Sequence, residues 1–507
     1  MSLLHQHTPV EPLSTLARFR SQFHACLTTR ADALFEVCEA LVSTPTPVRH
    51  LAQLSLEPEH HRGHGSAYAA LAHGSIDTTQ LRSILASLPL PRFHGRIVLA
   101  CDVSPWLRPD AWTSPDRAWC HTYGRGTGQA EMVPGWPYSM IVALEEGSTS
   151  WTAPLDLRRL HSDEDPTTVT AHQVRQLIAR LIRAEHHQQG DPDIVVVVDA
   201  GYDSPRLAYL LADLPVQVVG RLPSNRVLYG PAEHRPISAN GRPPKHGAAL
   251  RMAAPDTWPE PETVTTAATR RYGSATARSW DRMHPRLTHR SAWAEHPGEL
   301  PVIEGTLVLL QVQALPSRRD PKPLWLWSSA TGMRSEQVSQ MWWAYLRRFD
   351  IEHTFRFLKQ SLGWNAPRLR DPRSADRWSW LVVVAYTQLR LARLLARQVR
   401  LPWHRLVEAD RMSPARVRRG FRYIRADLPV CVGAPKSCGP AECVKSNRTG
   451  AGDRQAASRR SALCCAVGTM SGSLIHAASG RAGSTGLRVN RCGLAARKAS
   501  MACARLS

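Results

Sequence analysis

Over the first 90 residues apolar positions recur at helical spacing, as in ARFRSQFHACLTTRADALFEVCEALV and TTQLRSILASL, with proline-containing loops between them. The pattern predicts amphipathic helices and a small α-helical domain over 1–92. At residue 95 the character changes. Gly95-Arg96 leads into IVLACD, a continuous apolar run closed by Asp102. YSMIVALEEG (138–147) and SWTAPLDLRRL (150–160) are two extended segments around a short glycine-containing turn, a hairpin signal. Residues 168–187 place Leu177, Ile178, Leu181 and Ile182 on one side of a helix. DIVVVVDAGYD then holds Val195–Val198, a run typical of a strand buried on both faces. SPRLAYLLADL supplies another helix and VQVVGRL another strand. Strand, hairpin strands, helix, strand, helix, strand: the order predicts a mixed α/β sheet over 93–222.

From about 223 to 300 the periodicity dissolves into Pro, Arg, Thr and Trp, and it recovers with TLVLLQVQAL (306–315) and PLWLWSS (323–329). Residues 223–330 therefore read as a β-rich insertion, and 331–430 as helices that complete the core. Residues 375–399, ADRWSWLVVVAYTQLRLARLLARQV, form a long and largely buried helix. Before it comes YLRRFDIEHTFRFLK, Tyr345 to Lys359. At ~100° per residue, a helix would gather Tyr345, Arg348, Glu352 and Lys359 within an arc of ~60°. Ile351, Phe355, Leu358 and Leu362 make an apolar stripe beside them. A carboxylate flanked by cations on a half-buried face suits an enzyme that cuts polyanions. A solvated face with an ordinary Arg348–Glu352 pair at i,i+4 fits the helix taken alone.

Charge adds to this picture. The 507 residues carry a formal net charge of +22, which points to an anionic partner, nucleic acid rather than membrane. No run approaches 18 apolar residues, and MSLLHQHTPVEPLS lacks a basic-plus-apolar signal, so a soluble cytoplasmic protein is expected. Only six of the 64 basic residues are lysine. A GC-rich genome explains that bias as well as a preference for bidentate phosphate contacts does. Residues 431–507 contribute +10 of the charge, hold seven of the eleven cysteines, and contain no Trp, Tyr or Phe. Such a tail cannot easily bury a core. It reads as an out-of-frame translation, a disordered basic arm, or a zinc module, the last without any CxxC pair.

Two acids close buried runs, Asp102 after IVLAC and Asp199 after IVVVV. Each alone reads equally as a turn or capping residue. With Glu352 they make three carboxylates, and an all-oxygen set suits Mg²⁺ or Mn²⁺. Two such ions ~3.5–4 Å apart can activate water or a 3′-hydroxyl and stabilise the leaving oxygen of a phosphodiester. Asp199-Ala200-Gly201-Tyr202 resembles the D-[GA]-x-[FY]-type motif of cut-and-paste transposases, and Tyr345-x2-Arg348-x3-Glu352-x6-Lys359 matches their YREK signature at every interval. The chain, over about residues 12–430, is thus similar to insertion-sequence DDE transposases with a ribonuclease-H-like core. The 153 residues from Asp199 to Glu352, against 97 between the aspartates, fit the branch with a β-rich insertion.

The resemblance implies that Asp102, Asp199 and Glu352 coordinate two metal ions. It implies that Arg348 and Lys359 hold phosphates near the cleaved end, with Tyr345 on the same backbone. Arg347, Arg356, Arg368 and Arg370 are expected to make salt-sensitive phosphate contacts, or else to be solvated surface arginines. In related enzymes an insertion aromatic stacks on a flipped base; Trp258, Trp280 and Trp293 are candidates, with core packing as the alternative. Asp203 reads as a helix cap, and Cys120-His121 as a packed cysteine beside a polar loop residue. The resemblance further implies double-stranded DNA as partner, both terminal inverted repeats and target, with the N-terminal helices reading the repeats. It also implies a homodimeric synaptic complex, nucleoid-associated when on DNA, and no membrane. A catalytically inactive relic or repressor, and a Holliday-junction or restriction-type nuclease, are the competing classes.

The frameshift reading of the tail carries its own test. The other DNA frames from about codon 431 are expected to continue in Pro, Gly and Lys or Arg without the cysteines. A single intact frame shared by close copies of the gene would refute it.

Overall fold

A computed structural model describes residues 10–433, apart from 124–129, 148, 233–243, 316–319, 397–398, 400–402 and 404–405. Nearly all of the tail, 434–507, lies outside the described residues, as does most of the glycine-rich stretch after Tyr123.

The N-terminal part is helical, as its periodicity predicts. It contains α1 (Val10–Ala25), β1 (Leu27–Thr29), α2 (Ala31–Ser43), α3 (Leu51–Leu54), α4 (Gly65–His73), β2 (Ser75–Ile76) and α5 (Thr78–Ser87). Asp77 caps α5 by accepting from the amides of Thr79 and Gln80. Then come β3 (Val98–Leu107), β4 (Ala118–Tyr123), β5 (Ala130–Leu144), β6 (Thr152–Arg159), α6 (Pro166–Arg183), β7 (Ile194–Val198), α7 (Ser204–Leu210) and β8 (Val216–Leu222). The short β9 (Val227–Tyr229) and β10 (Ala249–Arg251) pair with each other. The next strands are β11 (Thr263–Thr269), β12 (Gly273–Met283), β13 (Gly305–Val312) and β14 (Leu324–Ser328). Helices α8 (Ser335–Arg347), α9 (Phe349–Gln360), α10 (Pro372–Leu391) and α11 (Pro414–Arg425) complete the described chain.

Ten strands form one sheet in the order β11-β12-β13-β14-β8-β7-β3-β5-β4, with β6 also on β5. The β3–β7 and β7–β8 pairs are parallel and the others antiparallel. The mixed α/β sheet expected from sequence is present. Strands β11 to β14 join it through β14 and β8, so the β-rich stretch of 223–330 continues the main sheet at that edge.

One apolar cluster covers each face. Helices α6 and α7 pack on one face around Leu177, Ile178 and Leu207. On the other, α10 is buried along most of its length, enclosed by the sheet and the N-terminal helices in a single continuous core. Polar contacts seal that junction: Arg20 pairs with Glu39 at 2.5 Å and donates to Gln388 at 3.2 Å. The helix stops at Leu391, short of the 399 expected from its apolar pattern.

Strand β3 differs from expectation in an informative way. Its apolar run stops at Asp102, but the strand continues to Leu107, because β5 keeps pairing through Leu107↔Gly135 after β7 has ended. Asp102 therefore lies within a strand.

Asp156 on β6 is buried and receives Arg82 of α5 at 2.5 Å and Arg180 of α6 at 3.1 Å. One carboxylate thus ties two helices to the sheet. Asp156→Ala would leave two largely buried guanidinium groups uncompensated, and is expected to cost about 3–5 kcal/mol in urea unfolding.

Candidate active site

The site is built where the parallel pair ends. Register runs Val98↔Val195 to Ala100↔Val197, and two residues further it brings Asp102 alongside Asp199, the first residue beyond β7. Both apolar runs are needed to bury these strands, and their first acids emerge at the same level. Asp203 caps α7 through the Arg206 amide at 3.1 Å, as expected, which directs the chain away from Asp199.

The third carboxylate comes from α9. The segment Tyr345–Lys359 is not the single helix its spacing predicts: Tyr345 is on α8, Glu352 and Lys359 are on α9, and Arg348 is the joint. Its amide bonds the Tyr345 carbonyl at 3.0 Å, and the Ile351 amide bonds the Arg348 carbonyl at 3.0 Å. These three-residue bonds tighten the turn locally. The Arg348 side chain, only 5% exposed, lies between the acids. Its Nη1 is 3.3 Å from Asp102 Oδ2, and its Nη2 is 3.1 Å from Glu352 Oε1 and 3.6 Å from Asp199 Oδ2. Tyr345 donates its hydroxyl to Asp199 Oδ1 at 3.3 Å. Lys359 donates to the Pro105 carbonyl at 3.1 Å, further along β3. All four signature residues therefore line one path beside the two aspartates.

Electrostatics follow from burying three acids around one cation. Burial pushes the Asp102 carboxyl from its ordinary 3.8 up to about 6. Arg348 and the Val103 amide oppose that rise, while Asp199 and Glu352 add to it. Glu352 is raised as well, by burial first and then by Asp199, against the pull of Arg348. Burial works against the charge of Arg348, but its neighbours outweigh it and hold the guanidinium firmly protonated. Burial also raises the Tyr345 phenol, keeping it a neutral donor.

As a donor set, three carboxylates fit a hard divalent cation. Yet among the described residues no three acids, histidines or cysteines stand close enough together to hold one ion. The three acids meet at the guanidinium rather than at each other. For all three to ligate, Arg348 must give way.

The outlying arginines separate. Arg347, beside Arg348 in sequence, turns the other way, pairing with Asp350 and donating to the Thr149 carbonyl at 3.3 Å. Arg356 is exposed and near enough to Glu352 to lower its pKa. Arg368 and Arg370 are exposed and lie near Arg108. Sequence reasoning overlooked Arg108, just past β3, and Arg221 of β8, whose charge reaches Tyr345. A lone arginine ending an apolar strand, as in VQVVGRL, was the available signal. Trp280 and Trp293 are buried, and Trp258 packs edge-on against Trp325, so the insertion tryptophans serve packing. Cys120 is buried, as read from sequence. A cleft of about 380 Å³ lined by Arg82, Arg159, Arg373 and Arg377 includes none of the three carboxylates.

The sheet thus brings Asp102 of β3 and Asp199, just past β7, together with Glu352 of α9 around Arg348. The model of one protein family, DDE superfamily endonuclease, matches residues 22–286, more than half of the chain, and the chain belongs to that family. The matched span contains Asp102 and Asp199 and ends before Glu352. Membership makes this a transposase-like nuclease with DNA as its implied substrate, in a family that generally uses divalent metals. No curated protein matches the chain. No helix among the described residues is long and apolar enough to cross a membrane.

Because Asp102 holds its proton more tightly folded than unfolded, its ionisation destabilises the fold as pH rises from 3.8 to about 6. In chelator, Asp102→Asn is expected to raise the melting temperature above pH ~7, and to leave it unchanged below pH ~3.5. An equal shift at both ends would refute the assignment.

Proposed function

We propose that the chain is an insertion-sequence transposase that cleaves the ends of its element and joins the freed 3′ ends to target DNA. The observation that carries this reading is the convergence of Asp102, Asp199 and Glu352 on Arg348, from β3, the end of β7 and α9. These three carboxylates would hold two Mg²⁺ or Mn²⁺ ions, which would supply activation of water or the 3′-hydroxyl and stabilisation of the leaving oxygen.

The chain's own residues do the rest. Arg348, which lies on the three acids, would contact a phosphate beside the scissile bond once those acids held a divalent cation. Lys359 neutralises the next phosphate, and the Tyr345 hydroxyl orients Asp199 and the backbone. Arg356, Arg368 and Arg370, all exposed, add sequence-independent phosphate contacts. Arg347, committed to Asp350, is left a structural part. The N-terminal helices read the terminal inverted repeats, and their shared core with α10 would hold that reading head fixed relative to the chemistry. Two copies synapse the two ends.

The test compares wild type with Glu352→Gln on a labelled element end with Mg²⁺. Wild type is expected to cleave and then join a pre-cut 3′ end to a second duplex, while the variant binds but cleaves more than about a hundredfold slower. Binding by both and cleavage by neither would mean a DNA-binding relic. Cleavage without joining would mean a structure-specific nuclease.

A further inference from the structure

Resting on the reading that the chain acts on DNA, we infer that the β4 edge of the sheet carries a second nucleic-acid site. It stacks the unpaired bases of single-stranded DNA on Trp112 and Trp119.

Three indoles stand unusually open, and two of them belong to this edge: Trp112 is 89% exposed and Trp119 is 67% exposed, while Trp403, at 75%, follows α10. Trp is a residue that a folded chain normally covers. Both are held in place by the fold. Arg117 donates to the carbonyls of Arg108 at 3.0 Å, Trp112 at 3.1 Å and Ser114 at 3.3 Å, which fixes the loop that presents Trp112. Trp119 lies within β4, where Ala118 and Cys120 on either side are buried. Strand alternation turns the indole outward.

Register relates this edge to the carboxylates. Asp102 stands opposite Met140 of β5, and Trp119 opposite Pro134. These partners are an even number of residues apart with no bulge in either pairing, so Asp102 and Trp119 share one face of the sheet. Their offset along β5 is ~20 Å. Cations fill the interval. Lys359 reaches the Pro105 carbonyl, and the exposed Arg368 and Arg370 lie near the buried Arg108. Of the nearby acids, Asp110 faces Arg108 at 3.5 Å and Asp116 faces Arg159 at 3.7 Å, while Glu131 of β5 is exposed. A cationic track that ends in open aromatic faces is what a strand needs once its bases no longer pair. Phosphates follow the arginines, and each base covers an indole. An apolar protein partner would gain nothing from the cations.

The experiment measures binding by the full chain, in chelator so that nothing is cut. The probes are a blunt DNA duplex and the same duplex bearing a single-stranded thymidine extension. The extension is expected to tighten wild-type binding by about tenfold or more. The W112A/W119A double variant should lose that gain, W112F/W119F should keep most of it, and the blunt duplex should bind all three alike. An undiminished gain in the alanine variant overturns the site, as does a wild type that binds both probes equally. Loss of self-association in the alanine variant with the gain intact would make the edge a protein interface and also overturn it. Binding of neither probe by wild type fails the DNA-directed reading itself, and is thereby distinguished from failure of the platform alone.

Discussion

A nearly buried guanidinium surrounded by three carboxylates is the constraint on which the rest of this structure depends. Removing a charge from water costs several kcal/mol unless partners surround it, and Arg348 has partners from two strands and its own helix pair. The arrangement holds only if β3 and β7 keep their parallel register, if Asp199 follows β7 at once, and if the chain turns sharply between α8 and α9. Each condition is met by local chemistry: two runs of β-branched and small apolar residues, a capped α7 that leads the chain away, and three-residue hydrogen bonds at the joint. One cation against three acids still leaves the centre short of positive charge. Burial is what chiefly raises the Asp102 carboxyl, and Asp199 and Glu352 add to it against Arg348.

The sheet gives this centre two different surroundings. Toward β8 and β14 it continues as a long antiparallel extension, packed with Trp280, Trp325 and Trp327. Toward β5 it becomes a platform, since β5 is long enough to pair β6 with one half and β4 with the other. Helix α10 lies beneath the sheet face that carries Asp102 and is itself wrapped by α1, α2 and α11, so the N-terminal helices share the core that supports α9. Motion of those helices independent of the site would require opening the core around the largely buried α10.

Much of this was legible in the sequence, and the failures have physical causes. Val195–Val198 followed by Asp199 located a buried strand and its end, because a strand covered on both faces has no polar alternation to hide it. The same logic misjudged Asp102. Residues Val103–Leu107 are mixed in polarity, since β7 no longer flanks them, yet they still pair with β5. Strand β4 and the first half of β5 escaped notice because Pro134, Gly135 and Pro137 resemble loop residues. The hairpin of β11 and β12 escaped because its alternation is written in Thr, Ala and Ser, whose contrast in hydrophobicity is small. Tyr345, Arg348, Glu352 and Lys359 stay beside the two aspartates despite the break in their helix. The third carboxylate was findable for that reason, although the family match stops short of it.

Arginine shows most clearly what composition can and cannot say. A net charge of +22 invites the view that arginines are there for DNA. Yet Arg20, Arg82, Arg159, Arg180 and Arg418 are spent inside the fold, on Glu39, Asp156, Asp376 and the carbonyls of Leu41 and Ser361. Arg347 and Arg348 are sequence neighbours with opposite fates, because successive helical side chains point about 100° apart. One finds Asp350 within its own helix pair, and the other finds the strands. Charge on a chain therefore becomes evidence of a nucleic-acid surface only after the internal pairs are removed. Exposed arginines that remain are scattered, Arg183, Arg226, Arg251, Arg270, Arg286 and Arg290 among them, but Arg356, Arg368 and Arg370 with Lys359 follow one path from Glu352 along β3. That path is far narrower than the total charge implies, and it runs toward the edge where two indoles stand open.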